Sequence, residues 1–402
     1  MIEKRVMDKA DHRPPITAHC PLPTAHCSLM IVAGEASGDR HGATLAEALK
    51  RLYPETRFEF FGSGGEEMRA AGVETLVDAA DVAIIGIPEI LRSLGKLYRA
   101  YRSLIGAARE RRPSAVVLID WPDFNMRLAR KLRREGLKII YYISPQVWAW
   151  RRYRVRALRR DVDRMLVILP FEEEFYKRYG VEVEYVGHPL VEIVSTSDTR
   201  EEFLSKHGLD PKKRLIALLP GSRHKEIHYH LPLLMDAANR LKSQIPDLEF
   251  VLPLASTVDR RQVEAIMRGA DAKIIERDTY NAVGFSEIAI VASGTATVEA
   301  ALLGTPMVII YRASEVNWRV IRPMIHLDTF GMVNLIAGRR IVPELIQHDA
   351  TGESIASEVA AIFGDPHRLQ QMKDDLREVR EKLRGPGGAE RAARAVMRVI
   401  SE

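Results

Sequence analysis

Short, continuously apolar runs alternate with amphipathic segments along most of this chain. From Ser28 onward the runs predict strands over 29–33, 58–61, 115–119, 138–143, 165–169 and 183–186. Between them the spacing of apolar positions predicts helices over 37–52, 91–111, 124–135 and 172–179. Strands that are apolar at every position are buried on both faces, which points to parallel sheets covered by helices. Gly187-His188-Pro189 closes this series, and the polar stretch 195–199 reads as a linker. The pattern then restarts, with strands predicted over 215–219, 249–253, 273–276, 288–291 and 307–311 and a helix over 224–244. Residues 352–401 read as mostly helical, interrupted at Leu383–Gly388. The expected architecture is α/β, with two Rossmann-like domains whose parallel sheets face a central cleft. The expected boundaries are an extension over 1–27, an N-terminal domain over 28–190, a C-terminal domain over 191–385 and a terminal helix over 386–402.

Composition narrows the function classes. The chain has 402 residues, 46% hydrophobic and 28% charged, which are globular values. A net charge of +5 on this length does not by itself indicate nucleic acid, but it favours anionic partners such as phosphorylated substrates and acidic lipid. The two cysteines, Cys20 and Cys27, rule out a disulfide framework for the body of the protein and fit a reducing compartment. No run reads as a transmembrane span or an apolar signal-peptide core. The opening 27 residues repeat Thr-Ala-His-Cys at 17–20 and 24–27. Two His-Cys pairs are zinc-compatible, but the composition favours a disordered extension.

In open parallel sheets ligands bind beyond the carboxyl ends of the strands, so those ends carry the candidate chemistry. The first strand runs into Gly34-Glu35-Ala36-Ser37-Gly38-Asp39, where glycine permits a tight turn and Glu35, Ser37 and Asp39 offer oxygens. No Gly-Lys-Ser/Thr follows, so it is not a P-loop. The second strand ends in Phe61-Gly62-Ser63-Gly64-Gly65, where Glu67 stands at the third glycine of the dinucleotide fingerprint. Asp120 follows the strand at 115–119 and suits a general base, whereas Asp123 suits a helix cap. Ser144-Pro-Gln-Val-Trp148-Ala-Trp150 places aromatic side chains near the same edge, beside a basic run from Arg151 to Arg160. A second basic stretch interleaves Arg92, Lys96, Arg99 and Arg102 with Ile87, Leu91, Leu94, Tyr98, Tyr101 and Ile105. It reads either as a cover for the sheet or as a face toward anionic lipid.

The second half carries two strand-to-helix anion sites. In Pro220-Gly221-Ser222-Arg223 the helix start offers free N–H groups and Arg223 adds a positive charge. His224, His228 and His230 follow without a carboxylate-supported zinc pattern. The other site is Ser293-Gly294-Thr295, with Glu299 about one turn into the next helix, where a carboxylate can accept both ribose hydroxyls. Together these loops read as a nucleoside-diphosphate pocket.

Taken together, the motifs of both halves resemble those of a known family. Gly34–Asp39, Ile119-Asp-Trp-Pro-Asp-Phe-Asn125, Ser144–Trp150, Leu169-Pro-Phe-Glu172, Gly187-His188, Leu218–Arg223, Ala292–Ala296 and Asn334-Leu-Ile-Ala-Gly338 occur in the order found in lipid-A-disaccharide synthases. They cover about residues 29 to 345. The resemblance implies the two-domain GT-B fold and a metal-independent, inverting transfer from UDP-2,3-diacylglucosamine to 2,3-diacylglucosamine 1-phosphate, with no cofactor. It implies Asp120 as base toward the acceptor hydroxyl, Arg223 on the departing diphosphate, and Gly221, Ser222, Ser293, Gly294, Thr295, Glu299 and Asn334 around the nucleotide. Glu35, Ser37, Gly38, Asp39, Ser144 and Trp148 are then expected on the acceptor side of the cleft. It also implies a peripheral place on the cytoplasmic face of the inner membrane, no nucleic-acid partner, and a homodimer formed by exchanging carboxyl-terminal segments. The extension at 1–27 has no counterpart in the motif set, and Trp121 and Gln146 depart from its usual small or polar residues. Two other readings share some features: a UDP-N-acetylglucosamine 2-epimerase, and a non-enzymatic membrane-surface protein. The Trp148/Trp150 block and the 87–105 face speak against the first, and Asp120 with Arg223 against the second.

Overall fold

The computed structural model describes residues 26–82, 87–255, 257–267, 271–324 and 329–402. Their strands form two sheets in which every pairing is parallel. The first contains β1 (His26–Val32), β2 (Arg57–Gly64), β3 (Val73–Asp78), β4 (Ala115–Ile119), β5 (Ile139–Tyr142), β6 (Arg164–Val167) and β7 (Val183–Tyr185) in the order β3-β2-β1-β4-β5-β6-β7. The second contains β8 (Arg214–Leu219), β9 (Leu248–Leu254), β10 (Ala272–Glu276), β11 (Ile288–Ala292), β12 (Met307–Tyr311) and β13 (Glu344–Ile346) in the order β10-β9-β8-β11-β12-β13. Two parallel sheets covered by helices are the α/β architecture the apolar runs predict.

Each sheet reverses its strand order once, and that reversal positions the site. In the first sheet β1 and β4 are neighbours, with Val32 opposite Leu118. In the second β8 and β11 are neighbours, with Val291 opposite Leu219. Crossovers leave such a pair in opposite directions and open a crevice at their carboxyl ends. The turn at Gly34-Glu35 is thereby set beside Asp120, and Gly221–Arg223 beside Ser293–Thr295.

The cores follow from the fully apolar central strands. Leu29, Ile31, Val117 and Ile119 are wholly buried on one face of the first sheet; Met30, Val32, Val116 and Leu118 are buried on the other. Ile216, Leu218, Ile288, Ile290 and Ile309 anchor the second core. His26 and Cys27, assigned by sequence to the extension, are the first residues of β1, and Cys27 is buried. β3 and β13 were not predicted. They are the end strands of their sheets, with half-buried, polar-interrupted sequences that carry no apolar run.

The terminal helix Gly388–Ser401 returns to the first sheet. Its Ala392, Ala393, Val396 and Val399 share a core with Leu29 and Leu45. The crossing segments are tied to each other: Arg391 Nε donates to the Val186 carbonyl (2.7 Å), and the Gly387 and Gly388 N–H groups donate to Glu192 (2.9 Å each).

Candidate functional site

A cleft of about 1290 Å³ opens where the sheets meet. The first half contributes Gln146, Trp148 and Ala149, from the segment after β5; the second contributes both strand-to-helix loops and Glu299. Asp120 stands at the end of β4, one strand from that wall.

Asp120 and Trp121 both hold left-handed backbone, at φ +46° and +49°. Aspartate tolerates this conformation, but a bulky residue such as Trp121 adopts it only where its surroundings enforce it. Here the wholly buried Tyr141 donates its hydroxyl to the Asp120 carbonyl (2.7 Å), and Asn125 Nδ2 donates to the same oxygen (2.8 Å). Trp121 stacks on Phe124 at 3.9 Å and lies over Gly34, where a Cβ would overlap the indole. Glycine at 34 is therefore a packing requirement of the aromatic side chain after Asp120. Burial, with the nearby Glu35 carboxylate, pushes Asp120 up to about 6. That value suits a group that must accept a proton near neutral pH. Glu35 and Ser37 are exposed, and Gly38 packs its backbone against Ala33.

Several expected site residues turn out to brace it. Asp39 caps a distant helix: its carboxylate accepts from the N–H groups of Gly65 (2.6 Å), Glu67 (3.0 Å) and Met68 (3.1 Å). Asn334 does not line the cleft. It donates to Val342 O and Glu344, and it accepts from the N–H groups of Ile341 and Val342, so its amide is used holding that turn. Glu344 in turn holds the N–H groups of Phe330 and Gly331, and Phe330 does line the cleft. Ser144 is buried behind the wall, with its hydroxyl 2.6 Å from that of Tyr176.

In the second half Arg223 is 83% exposed and lines the cleft, with its guanidinium 3.8 Å from the Glu226 carboxylate. The helix-start N–H groups are less free than the sequence suggests. Glu226 folds back and accepts from Ser222 N–H (2.9 Å) and Arg223 N–H (3.2 Å). An acidic residue at the third helical position reaches the cap in this way; a bound diphosphate would compete with it. Ser293 donates its hydroxyl to Phe330 O (2.9 Å), leaving Gly294 and the exposed Thr295 facing the cleft. Glu299 is half-buried, lines the cleft with Tyr280, and burial raises its carboxyl above the ordinary range. His230 is structural: its Nδ1 lies 2.8 Å from Pro220 O, and its Nε2 accepts from Arg312 N–H (3.0 Å). His224 and His228 are exposed.

The basic helix Ile87–Arg111 divides by face. Lys96, Tyr98, Arg99 and Arg102 are exposed, while Ile105 belongs to the core and Tyr101 packs edge-on to Phe124. The side chains of Ile87, Leu91, Arg92 and Leu94 lie outside the described residues. No described helix is long and apolar enough to cross a membrane.

The sequence model of the lipid-A-disaccharide synthetase family matches residues 29–399. The chain belongs to this family. It is 46% identical over 378 residues to the lipid-A-disaccharide synthase of Koribacter versatilis, covering 92% of this chain and 98% of the relative. It is 44% identical over 381 residues to that of Geobacter sulfurreducens, covering 94% and 98%. Solved structures with a similar fold include a putative UDP-N-acetylglucosamine 2-epimerase from Listeria monocytogenes (TM-score 0.63, 16% identity, 94% of this chain and 96% of that one). The kitacinnamycin glycotransferase is also similar (TM-score 0.60, 15% identity, 94% and 100%). At these identities the likeness shows the shared two-sheet GT-B fold. Membership of the synthase family, an enzyme family, is what separates this chain from the epimerases that fold like it.

Proposed function

We propose that the cleft transfers a 2,3-diacylglucosaminyl group from UDP to the 6-hydroxyl of 2,3-diacylglucosamine 1-phosphate, giving a β-1,6-linked disaccharide phosphate and UDP. The observation that carries this reading is the pairing of two switch-point crevices in a member of the synthase family. One presents a carboxylate raised by burial, and the other presents an exposed guanidinium between two helix starts.

Asp120 takes the proton from the acceptor hydroxyl as its oxygen bonds to the sugar C1. The bond from C1 to the diphosphate oxygen breaks on the opposite face, so the anomeric configuration inverts. Negative charge grows on the departing diphosphate. There Arg223 and the start of the helix His224–Gln244 stabilise it more in the transition state than in the ground state. Glu299 accepts the ribose hydroxyls. Asp39 and Asn334 act behind the site, on the turns that shape it. The sheets support a division near 190 between two domains, the first beginning with β1 at His26 and completed by the helix after 386.

The acceptor is an anionic lipid, which suits the exposed Lys96, Arg99 and Arg102 around Tyr98 as the face toward an acidic membrane surface. The same reading places the protein peripherally on the inner membrane. The terminal helix, packed on the first sheet through a single crossing, is a segment two copies can exchange to form a homodimer. Proton NMR of the product tests the transfer: a β-anomeric linkage supports it, and an α linkage contradicts the single displacement.

A further inference from the structure

The first sheet's wall of the cleft is one short segment, 146–149, and its Trp148 is held by a buried carboxylate. Glu172 lies in the first turn of the helix Pro170–Arg178 and is 1% exposed. One carboxylate oxygen accepts from Leu169 N–H (3.1 Å) and closes the helix start. The other accepts from the Trp148 indole N–H (2.9 Å). Behind it the Ser144 hydroxyl lies 2.6 Å from the Tyr176 hydroxyl. Trp148 itself is 5% exposed, lines the cleft and meets Phe171 edge-on at 4.9 Å.

Helix capping alone does not require this burial. The same back-folded glutamate occurs at Thr199–Glu202 and Arg223–Glu226, where Glu202 is exposed and Glu226 half-buried. Burying a carboxylate is costly, and burial pushes Glu172 up to about 7. What distinguishes the buried instance is its second oxygen, which accepts a hydrogen bond from a buried cleft residue, whereas that of Glu226 lies only 3.8 Å from the exposed Arg223 guanidinium.

We propose that Glu172 is a positioning residue for glycosyl transfer, one that acts by fixing the Trp148 indole as the cleft wall against which the bound sugar packs. This rests on the transfer reading above. Glu172 touches no substrate; it sets the orientation of a residue that does. The Phe171 contact limits the ring's position, and the bond to Nε1 fixes its rotation.

Two variants approach this bond from opposite sides. Glu172→Gln keeps the shape and replaces one acceptor oxygen by an NH2 group, which cannot accept from the indole while the remaining oxygen closes the helix start; Trp148→Phe removes the indole N–H. Each is expected to lower kcat by about ten- to a hundred-fold, as small misplacements in a site do, while UDP affinity by calorimetry stays at the unsubstituted value. The double variant is expected to be no slower than the slower single one, because both break one interaction. Multiplying effects, or turnover within twofold of the unsubstituted protein in Glu172→Gln, would overturn the proposal. A readout independent of turnover is the indole ¹⁵N–¹H resonance of Trp148, assigned by its loss in Trp148→Phe. It should be protected from solvent exchange and should move in Glu172→Gln; an unmoved resonance also overturns the proposal. If the unsubstituted protein itself makes no disaccharide, the transfer reading fails, and the resonance still decides whether Glu172 holds Trp148.

Discussion

Replacing Asp120 by asparagine separates chemistry from stability in opposite directions. The carboxyl lies at about 6 instead of its ordinary 3.8, raised by burial and by Glu35. Folding therefore favours its protonated form. The stability cost of the charge is absent below pH 3.8, grows between 3.8 and about 6, and is fully present above. The difference corresponds to ~3 kcal/mol at pH 7.5. Asparagine removes the charge, tolerates left-handed backbone and leaves the carbonyl that Tyr141 and Asn125 hold. The variant should thus melt no lower than the unsubstituted protein at pH 7.5, and higher if the burial cost is realised. Loss of the base should lower kcat by about 10²- to 10⁴-fold. In the unsubstituted protein kcat/KM should rise about tenfold per pH interval below 6 and level off above 7, as ionised Asp120 becomes the main form. Turnover is read by UDP release, melting by scanning calorimetry, and UDP affinity by titration. Asparagine turnover within tenfold of the unsubstituted protein would refute the base assignment. Lost UDP affinity or a lowered melting temperature would make Asp120 a structural residue instead.

Arg223→Ala should weaken UDP by about ten- to a hundred-fold, the loss of a charge-assisted pair, and should slow transfer as well; unchanged titrations would remove Arg223 from the site. Gly34→Ala forces a methyl into the Trp121 indole, so kcat should fall while UDP affinity stays the same, and a kcat at the unsubstituted level would mean that Trp121 moves without consequence for Asp120. Changing Lys96, Arg99 and Arg102 together to glutamine should weaken sedimentation with anionic vesicles by about a hundred-fold at moderate salt, at roughly 1 kcal/mol per basic residue. Equal binding would show that this face is only solvated.

The sequence carried the parts of the fold that are local and periodic. Central strands such as 115–119 and 288–291 are apolar at every position because they are buried on both faces, and the turns after them bear Asp120 and Ser293–Thr295. Strands β3 and β13 lack that signature because most of their side chains are only half-buried. Long-range side-chain roles were not legible. Asp39 reads as a cap for its own helix, yet it serves the helix at Glu66–Ala70 because the strand order sets β1 beside β2. Asn334 sits in a shared motif, and only the folded turn shows its amide consumed by 341–344. Glu172 is visible as part of Leu169-Pro-Phe-Glu172, but its reach to Trp148 depends on how β5 and β6 bring two loops together. Glu226 has the signature of a capping glutamate three residues after Arg223, so its hold on the loop N–H groups was within reach of sequence reasoning.

The most direct test of transfer across this cleft is UDP release by the purified protein from UDP-2,3-diacylglucosamine, with and without 2,3-diacylglucosamine 1-phosphate. Release should depend on the acceptor, with one disaccharide 1-phosphate formed, by mass spectrometry, for each UDP. Release at the same rate without acceptor, or none in its presence while UDP still binds, would contradict transfer across this cleft.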